Sequence, residues 1–172
     1  MLRNKTFQNR DTLKQLFKYF PDNAIMAEIG SFEGSSTIVW AQKFKTVFCV
    51  DPWKGVLFKG DPEVERTYKI FRERTAMLPN VVAIRKTSEE GSFDFSDKVL
   101  DFVYIDALHD YESVKEDIRL WLPKVKDTGY IGGHDYANLM LPDVKRAVDE
   151  MLGIPKIIDT EFSWLIAKKD IQ

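Results

Sequence analysis

Two short stretches hold both histidines of the chain, each beside aspartate: Asp106-Ala107-Leu108-His109-Asp110 and Gly133-His134-Asp135. Carboxylate and imidazole ligands suit Mg²⁺, Mn²⁺ or a similar divalent ion. A histidine that titrates near neutral pH also suits general-base work. Each residue taken alone has a plainer role, Asp110 as a helix cap and the histidines as side chains satisfied by backbone. Taken together, Asp106, His109, His134 and Asp135 read as a reactive centre.

A second group is placed to hold a ligand. Gly30 and Gly34 bracket Ser31-Phe32-Glu33 ahead of Ser35-Ser36-Thr37. Glycine lets backbone approach a ligand closely, and the start of a helix offers unpaired N–H groups. The spacing is G-x-x-x-G and not the dinucleotide pattern G-x-G-x-x-G, and a plain structural turn explains it equally well. Asp51 follows about twenty residues later, where an acid can accept hydrogen bonds from both hydroxyls of a ribose or cap a turn. Thr87-Ser88-Glu89 follows another apolar run. A side chain there can reach the adenine edge of such a ligand, or serve as a helix N-cap.

The elements that position these residues alternate between strand and helix. Leu13, Leu16, Phe17 and Phe20 share one helical face, and Pro21 ends that helix. Apolar runs at 24–29, 46–50, 81–84 and 100–105 read as buried strands, and Tyr130 and Ile131 lie in a fifth. Helices are expected over 35–44, from an Asp61 cap and Pro62 through Val64, Tyr68 and Phe71, along Tyr111, Val114, Ile118 and Trp121, and over 142–152. The candidate residues follow the carboxyl ends of strands, where open α/β sheets bind ligands. Two last runs, 156–159 and 162–167, have almost nothing between them. A parallel pair needs a crossover of a dozen or more residues, so these two form an antiparallel hairpin if they pair.

Composition bounds the rest. The 172 residues suit one domain, with residues 1–21 as an N-terminal helix and 24–168 as the core. Lys and Arg number 25 against 27 Asp and Glu, which gives no support to broad electrostatic binding of nucleic acid. The single cysteine, Cys49, sits in an apolar run and reads as a small buried side chain; one thiol cannot form an internal disulfide, and a cytoplasmic setting is expected. No apolar run approaches the roughly 18 residues that span a bilayer, and the polar first ten residues do not read as a secretion signal.

On these residues the sequence resembles the class I S-adenosylmethionine-dependent methyltransferases, and within them the small macrocin-type and cephalosporin-hydroxylase-like O-methyltransferase group. The resemblance runs over about Ala24 to Lys168. It is carried by AEIGSFEGSST, VFCVDPWKG, DFVYIDALHDYESVKEDIRLWLPKVKDTGYIGGHDY and the closing hairpin.

The resemblance implies a Rossmann-like three-layer α/β sandwich, its seven-stranded, mostly parallel sheet ending in an antiparallel strand. It implies that Glu28, Gly30, Ser31, Phe32 and Gly34 line the methionine and ribose part of S-adenosylmethionine. Ser35 and Ser36 complete that turn, Asp51 holds the ribose hydroxyls, and Pro52 and Trp53 lie near adenine, which Ser88 contacts. Asp106, Ala107 and His109 close the cofactor site. Asp106, Asp135 and His134 would hold Mg²⁺ or Mn²⁺; His134 stands where the family often has glutamate, which widens the metals tolerated. His109 matches a proposed general base, with Asp106 beside it in catalysis. The expected reaction is O-methylation of a small molecule or sugar, with a metal-independent methyltransferase, a non-catalytic cofactor-binding protein and a dinucleotide enzyme as alternatives. Almost nothing is added to the core, so the acceptor must be held by the 53–62 loop, the 138–141 region, the N-terminal helix or a second subunit. A homodimer is expected, with Phe7, Phe20, Phe58 and Trp164 as apolar aromatics needing cover.

Overall fold

A computed structural model describes residues 10–53, 62–155, 157–158 and 162–171. Its strands are β1 (Ile25–Ile29), β2 (Thr46–Val50), β3 (Val81–Ile84), β4 (Leu100–Ile105), β5 (Val125–Gly133), β6 (Ile157–Ile158) and β7 (Trp164–Ala167). They form one sheet in the order β3-β2-β1-β4-β5-β7-β6. The pairs from β3 to β5 are parallel, and β7 runs antiparallel to both β5 and β6. Six strands have four residues or more, and β6 adds a two-residue edge.

The helices are α1 (Ser35–Trp40), α2 (Pro62–Thr75), α3 (Ser88–Ser92), α4 (Tyr111–Trp121) and α5 (Pro142–Leu152). Strand alternation feeds two cores, one on each sheet face. Phe102 and Tyr104 of β4 point to one face, against Trp40 of α1 and Phe71 of α2. Val103 and Ile105 point to the other, against Val114, Ile118 and Trp121 of α4 and Val148 of α5. This is the expected three-layer sandwich.

Three local differences have physical reasons. The first helix is a 3₁₀ helix over Asp11–Tyr19, with Leu13 and Leu16 buried. Its end bonds close over three residues, from the Leu13 N–H to the Arg10 carbonyl and from the Phe20 N–H to the Phe17 carbonyl, although the apolar spacing of Leu13, Leu16, Phe17 and Phe20 suits an α turn. Helix α1 stops at Trp40, four residues short of the expected end, as i→i+3 bonds such as Lys43 N–H to the Trp40 carbonyl take over. Strand β5 begins at Val125, ahead of the expected core at Tyr130–Ile131. Its first half, Lys126-Asp127-Thr128-Gly129, carries the polar composition of a turn, and a register break between Leu100 and Phe102 accommodates it.

Two aromatics expected to need a partner's cover lie inside this chain. Phe20 is 5% exposed and Trp164 1%. Phe20 packs on Phe44, Phe102 and Tyr130. Phe7 and Phe58, like the expected cap Asp61, fall outside the described residues. Among the described residues no helix is long and apolar enough to cross a membrane.

Candidate active site

Chain order reverses between β1 and β4, which lie side by side while their neighbours run outward in opposite directions. Such a switch point leaves a crevice at the carboxyl ends of the two strands. The turns after β1 and β4 meet there closely. Gly30 has φ +87°, and a Cβ built on it would lie 2.2 Å from the Asp106 carbonyl oxygen. Only glycine allows this contact.

Asp51, at the end of β2, organises the glycine turn. Its Oδ2 accepts the backbone N–H groups of Ser31 at 3.1 Å and Phe32 at 2.9 Å, and its Oδ1 accepts that of Trp53 at 2.6 Å. Burial raises its pKa, and these three bonds oppose the rise. The expected ribose-binding acid is thus committed first to the loop. Trp53 differs from its expected place near adenine. Its ring is buried against Tyr68 and Phe71, and its Nε1 donates to the Phe32 carbonyl at 2.7 Å. It holds the turn from the α2 side.

Two cavities flank Ala107. The first, about 280 Å³, is lined by Gly30, Ser31, Phe32, Ser35, Ser36, Asp106, Ala107 and His109, together with Arg10 and Glu33. The second, about 520 Å³, includes Pro52, Thr87, Ser88, Leu108 and Asp117. Of the expected cofactor residues, Glu28, Gly34, Asp51 and Trp53 line neither. Glu28 is wholly buried beneath the turn, where it accepts from the Thr37 hydroxyl and, at 3.7 Å, from the Cys49 thiol. Burial raises the pKa of both Glu28 and Cys49, which leaves Cys49 a core side chain rather than a nucleophile. The Ser31 hydroxyl is buried beside the Glu28 carboxyl and the Cys49 thiol, and it works against the rise that burial gives their pKa values. It lines the first cavity, so it fits a polar ligand there.

The four expected reactive residues come together. His109 Nε2 lies 3.0 Å from Asp135 Oδ2 and 3.5 Å from Asp106 Oδ1. Neither approach has the alignment of a good hydrogen bond, so Nε2 sits between the two acids as an ion-pair partner. His134 Nδ1 reaches Asp135 Oδ2 at 3.1 Å, and Asn138 Nδ2 donates to Asp135 Oδ1 at 2.7 Å. Arg10 pairs with Asp106 at 3.3 Å. Asp106 and then Asp135 raise the His109 pKa to about 9. Burial pushes Asp135 up, but contacts from His109, His134 and Asn138 outweigh it and hold the carboxyl below its usual range. Ligand atoms of Asp106, His134 and Asp135 all lie within 4.8 Å of one another, in number and type fitting a divalent cation.

Asp110 keeps its plainer role, accepting the Ser113 N–H as the cap of α4. Thr87 does the same for α3 in a reciprocal capping box with Glu90. Ser88 lines the second cavity and donates to Asp117, while Trp121 Nε1 donates to Ser88 at 2.9 Å. Sequence reasoning missed Asp117 and Arg10. Asp117 carried a signal, an acid beside the apolar stripe Val114, Ile118 and Trp121; Arg10 carried none.

A curated relative, the uncharacterised protein y4gI of Sinorhizobium fredii (strain NBRC 101917 / NGR234), is 26% identical over 116 residues, covering 64% of this chain. The chain spans only 13% of that protein's length. Among solved structures, phosphoethanolamine N-methyltransferase 1 of Haemonchus contortus, in complex with phosphoethanolamine and S-adenosylhomocysteine, superposes with a TM-score of 0.54 at 20% identity, over 74% of this chain and 26% of its own. Precorrin-6y C5,15-methyltransferase of Geobacter metallireducens gives 0.61 at 16% identity, over 87% and 74%. Spermidine synthase of Thermotoga maritima gives 0.62 at 13%, over 95% and 64%. These likenesses concern the fold. The family described as a methyltransferase domain matches residues 27–136, more than half of the sequence, and this chain belongs to that family.

Proposed function

We propose that the chain transfers a methyl group from S-adenosylmethionine to a hydroxyl of a small molecule or sugar, with a divalent cation at the reaction centre. The observation that carries this reading is His109 standing between Asp106 and Asp135 beside the cavity at the β1–β4 crevice. The resemblance to macrocin-type enzymes supports it, and so does the polar lining of that cavity by Ser31, Ser35 and Ser36.

The sulfonium of the cofactor supplies an electrophilic methyl group. The chain's own work is then to align cofactor and acceptor, and to take the acceptor's proton. The first cavity suits the methionine part, with Ser31 offering a hydroxyl. The second suits adenine, between Pro52 and Leu108 with Ser88 on its edge. His109 Nε2 takes the proton, and Asp106 and Asp135 stabilise the imidazolium that results. Asp106, His134 and Asp135 would hold the cation, whose charge would lower the pKa of an acceptor hydroxyl. The exposed Leu139 and Met140, a few residues beyond Asp135, offer an apolar wall for the acceptor.

One observation favours a metal-independent form of the same reaction. Arg10 and a protonated His109 already balance the two carboxylates. Calorimetry with S-adenosylhomocysteine tests cofactor use. Conversion of S-adenosylmethionine across a panel of hydroxylated acceptors, in EDTA and with Mn²⁺ added back, tests the rest. Micromolar product binding and Mn²⁺-restored turnover are expected. No binding overturns the reading, and full turnover in excess EDTA selects the metal-independent form.

A further inference from the structure

The Ser88 hydroxyl has two of its hydrogen-bonding positions assigned by neighbours that can each play only one part. Indole N–H groups only donate, so Trp121 Nε1, at 2.9 Å, occupies one lone pair of Ser88 Oγ. Burial raises the Asp117 pKa to about 6, so above that pH its carboxylate only accepts and Ser88 spends its single proton on Asp117 Oδ1. One lone pair remains. Asp117 is 5% exposed and Trp121 fully buried, both on the packed face of α4, so the arrangement is rigid. Ser88 also lines the second cavity, within reach of a ligand there.

We infer that Asp117 is a positioning residue that turns Ser88 into a hydrogen-bond acceptor, so that the second cavity selects a base edge carrying an amine over one carrying a carbonyl. The inference rests on the cofactor reading above, which assigns that cavity to adenine. Adenine's exocyclic amine donates to the free lone pair. A carbonyl at the same position would set two acceptors against each other, with no proton between them. A site built around one hydrogen bond discriminates strongly against an analogue that cannot make it. Glu112, Glu116 and Glu89 on the same cavity add acceptors and no donors, which reinforces the preference.

The test compares affinities of S-adenosylhomocysteine and its deaminated analogue S-inosylhomocysteine, measured by calorimetry on the full chain. The wild type should favour the amine by roughly ten- to a hundredfold, the range for one buried hydrogen bond left unmade. Asp117→Ala frees the Ser88 proton to face the cavity, and the ratio should fall at least tenfold. Asp117→Asn keeps a carbonyl acceptor for Ser88 and should hold the ratio within about threefold. A merely structural role would weaken both ligands alike and leave the ratio unchanged. Ser88→Ala leaves Asp117 in place and should lose the ratio as Asp117→Ala does, so the test stands even if Asp117→Ala does not fold. An unchanged ratio in either alanine variant overturns the inference. So does a wild type that binds both ligands equally, and cofactor use then still stands. A wild type that binds neither ligand overturns the cofactor reading itself.

Discussion

His109 Nε2 lies 3.0 Å from Asp135 Oδ2, joining the loop after β4 to the loop after β5. Both groups sit at the carboxyl edge of the sheet, and their mutual attraction has a pH-dependent consequence. The His109 pKa is raised from 6.5 to about 9, by Asp106 first and Asp135 second. A group whose folded pKa exceeds its unfolded value adds stability fully below the unfolded pKa and loses it as pH rises through the folded one. The window is therefore pH 6.5 to about 9. After allowance for solvent screening, the loss across it should be about 2 kcal/mol. Thermal unfolding of metal-free protein at pH 6 and pH 9.5 checks this against His109→Gln, which should be nearly flat over the window. Equal slopes for the two proteins would remove His109 from the account.

Turnover should move in the opposite direction. A general base must be neutral to accept a proton, and His109 between two carboxylates is mostly protonated at pH 7. In the metal-independent form of the reaction kcat/KM should climb about tenfold per pH unit until it levels near pH 9, the behaviour of one ionising base. A bound cation, by drawing charge from Asp106 and Asp135, should bring that plateau to lower pH. A flat profile from pH 6 to 9 would exclude His109 as the base.

Asp106→Asn should abolish methyl transfer while leaving S-adenosylhomocysteine affinity within about tenfold. It removes one charge from the cluster of Asp106, His134 and Asp135 but keeps the backbone that touches Gly30. Mn²⁺ binding, followed by electron paramagnetic resonance, should fall together with activity. Retained turnover in this variant would remove Asp106 from catalysis.

Asp51→Ala tests a residue that holds its own loop. The change leaves three backbone N–H groups, those of Ser31, Phe32 and Trp53, without their acceptor. Hydrogen bonds to a charged group are worth about 1.5–3 kcal/mol each, so both the melting temperature and cofactor affinity should fall. Chemical denaturation beside calorimetry separates the two effects. Lost affinity at unchanged stability would mean that Asp51 acts on the ligand alone.

Gly30→Ala should cost more than Gly153→Ala. Both glycines have positive φ, +87° and +83°, and Gly153, with ψ −178°, lies in a region kept essentially for glycine, which costs an alanine about 1–3 kcal/mol. A Cβ at Gly30 also meets the Asp106 backbone, whereas one at Gly153 meets nothing within 4 Å. Denaturant midpoints should show Gly30→Ala losing about 3 kcal/mol or more, through forced separation of β1 and β4. Similar losses for both variants would mean that the turn yields without cost.

The sequence by itself determined the order of strands and helices, the reversed hairpin near the end, and the places where chemistry would gather. These follow from short-range rules. Side chains alternate along a strand, apolar stripes recur along a helix, and a chain that doubles back over a few residues can pair only antiparallel. Even the meeting of Asp106, His109, His134 and Asp135 was legible, because both segments end neighbouring strands in register, Ile105 beside Gly133. Tertiary structure alone decided which side of a strand end each residue serves. Glu28 and Gly30 are two residues apart, yet the first is buried beneath the turn and the second touches Asp106 across the crevice. Trp53 follows Asp51 by two residues but turns into the α2 layer, because its indole finds the Phe32 carbonyl and the rings of Tyr68 and Phe71 there. Arg10 reaches Asp106 across 96 residues, and Asp117 reaches Ser88 across 29. Contacts of that range depend on how whole layers pack: the apolar stripe beside Asp117 marks the acid but not its partner, and nothing local marks Arg10.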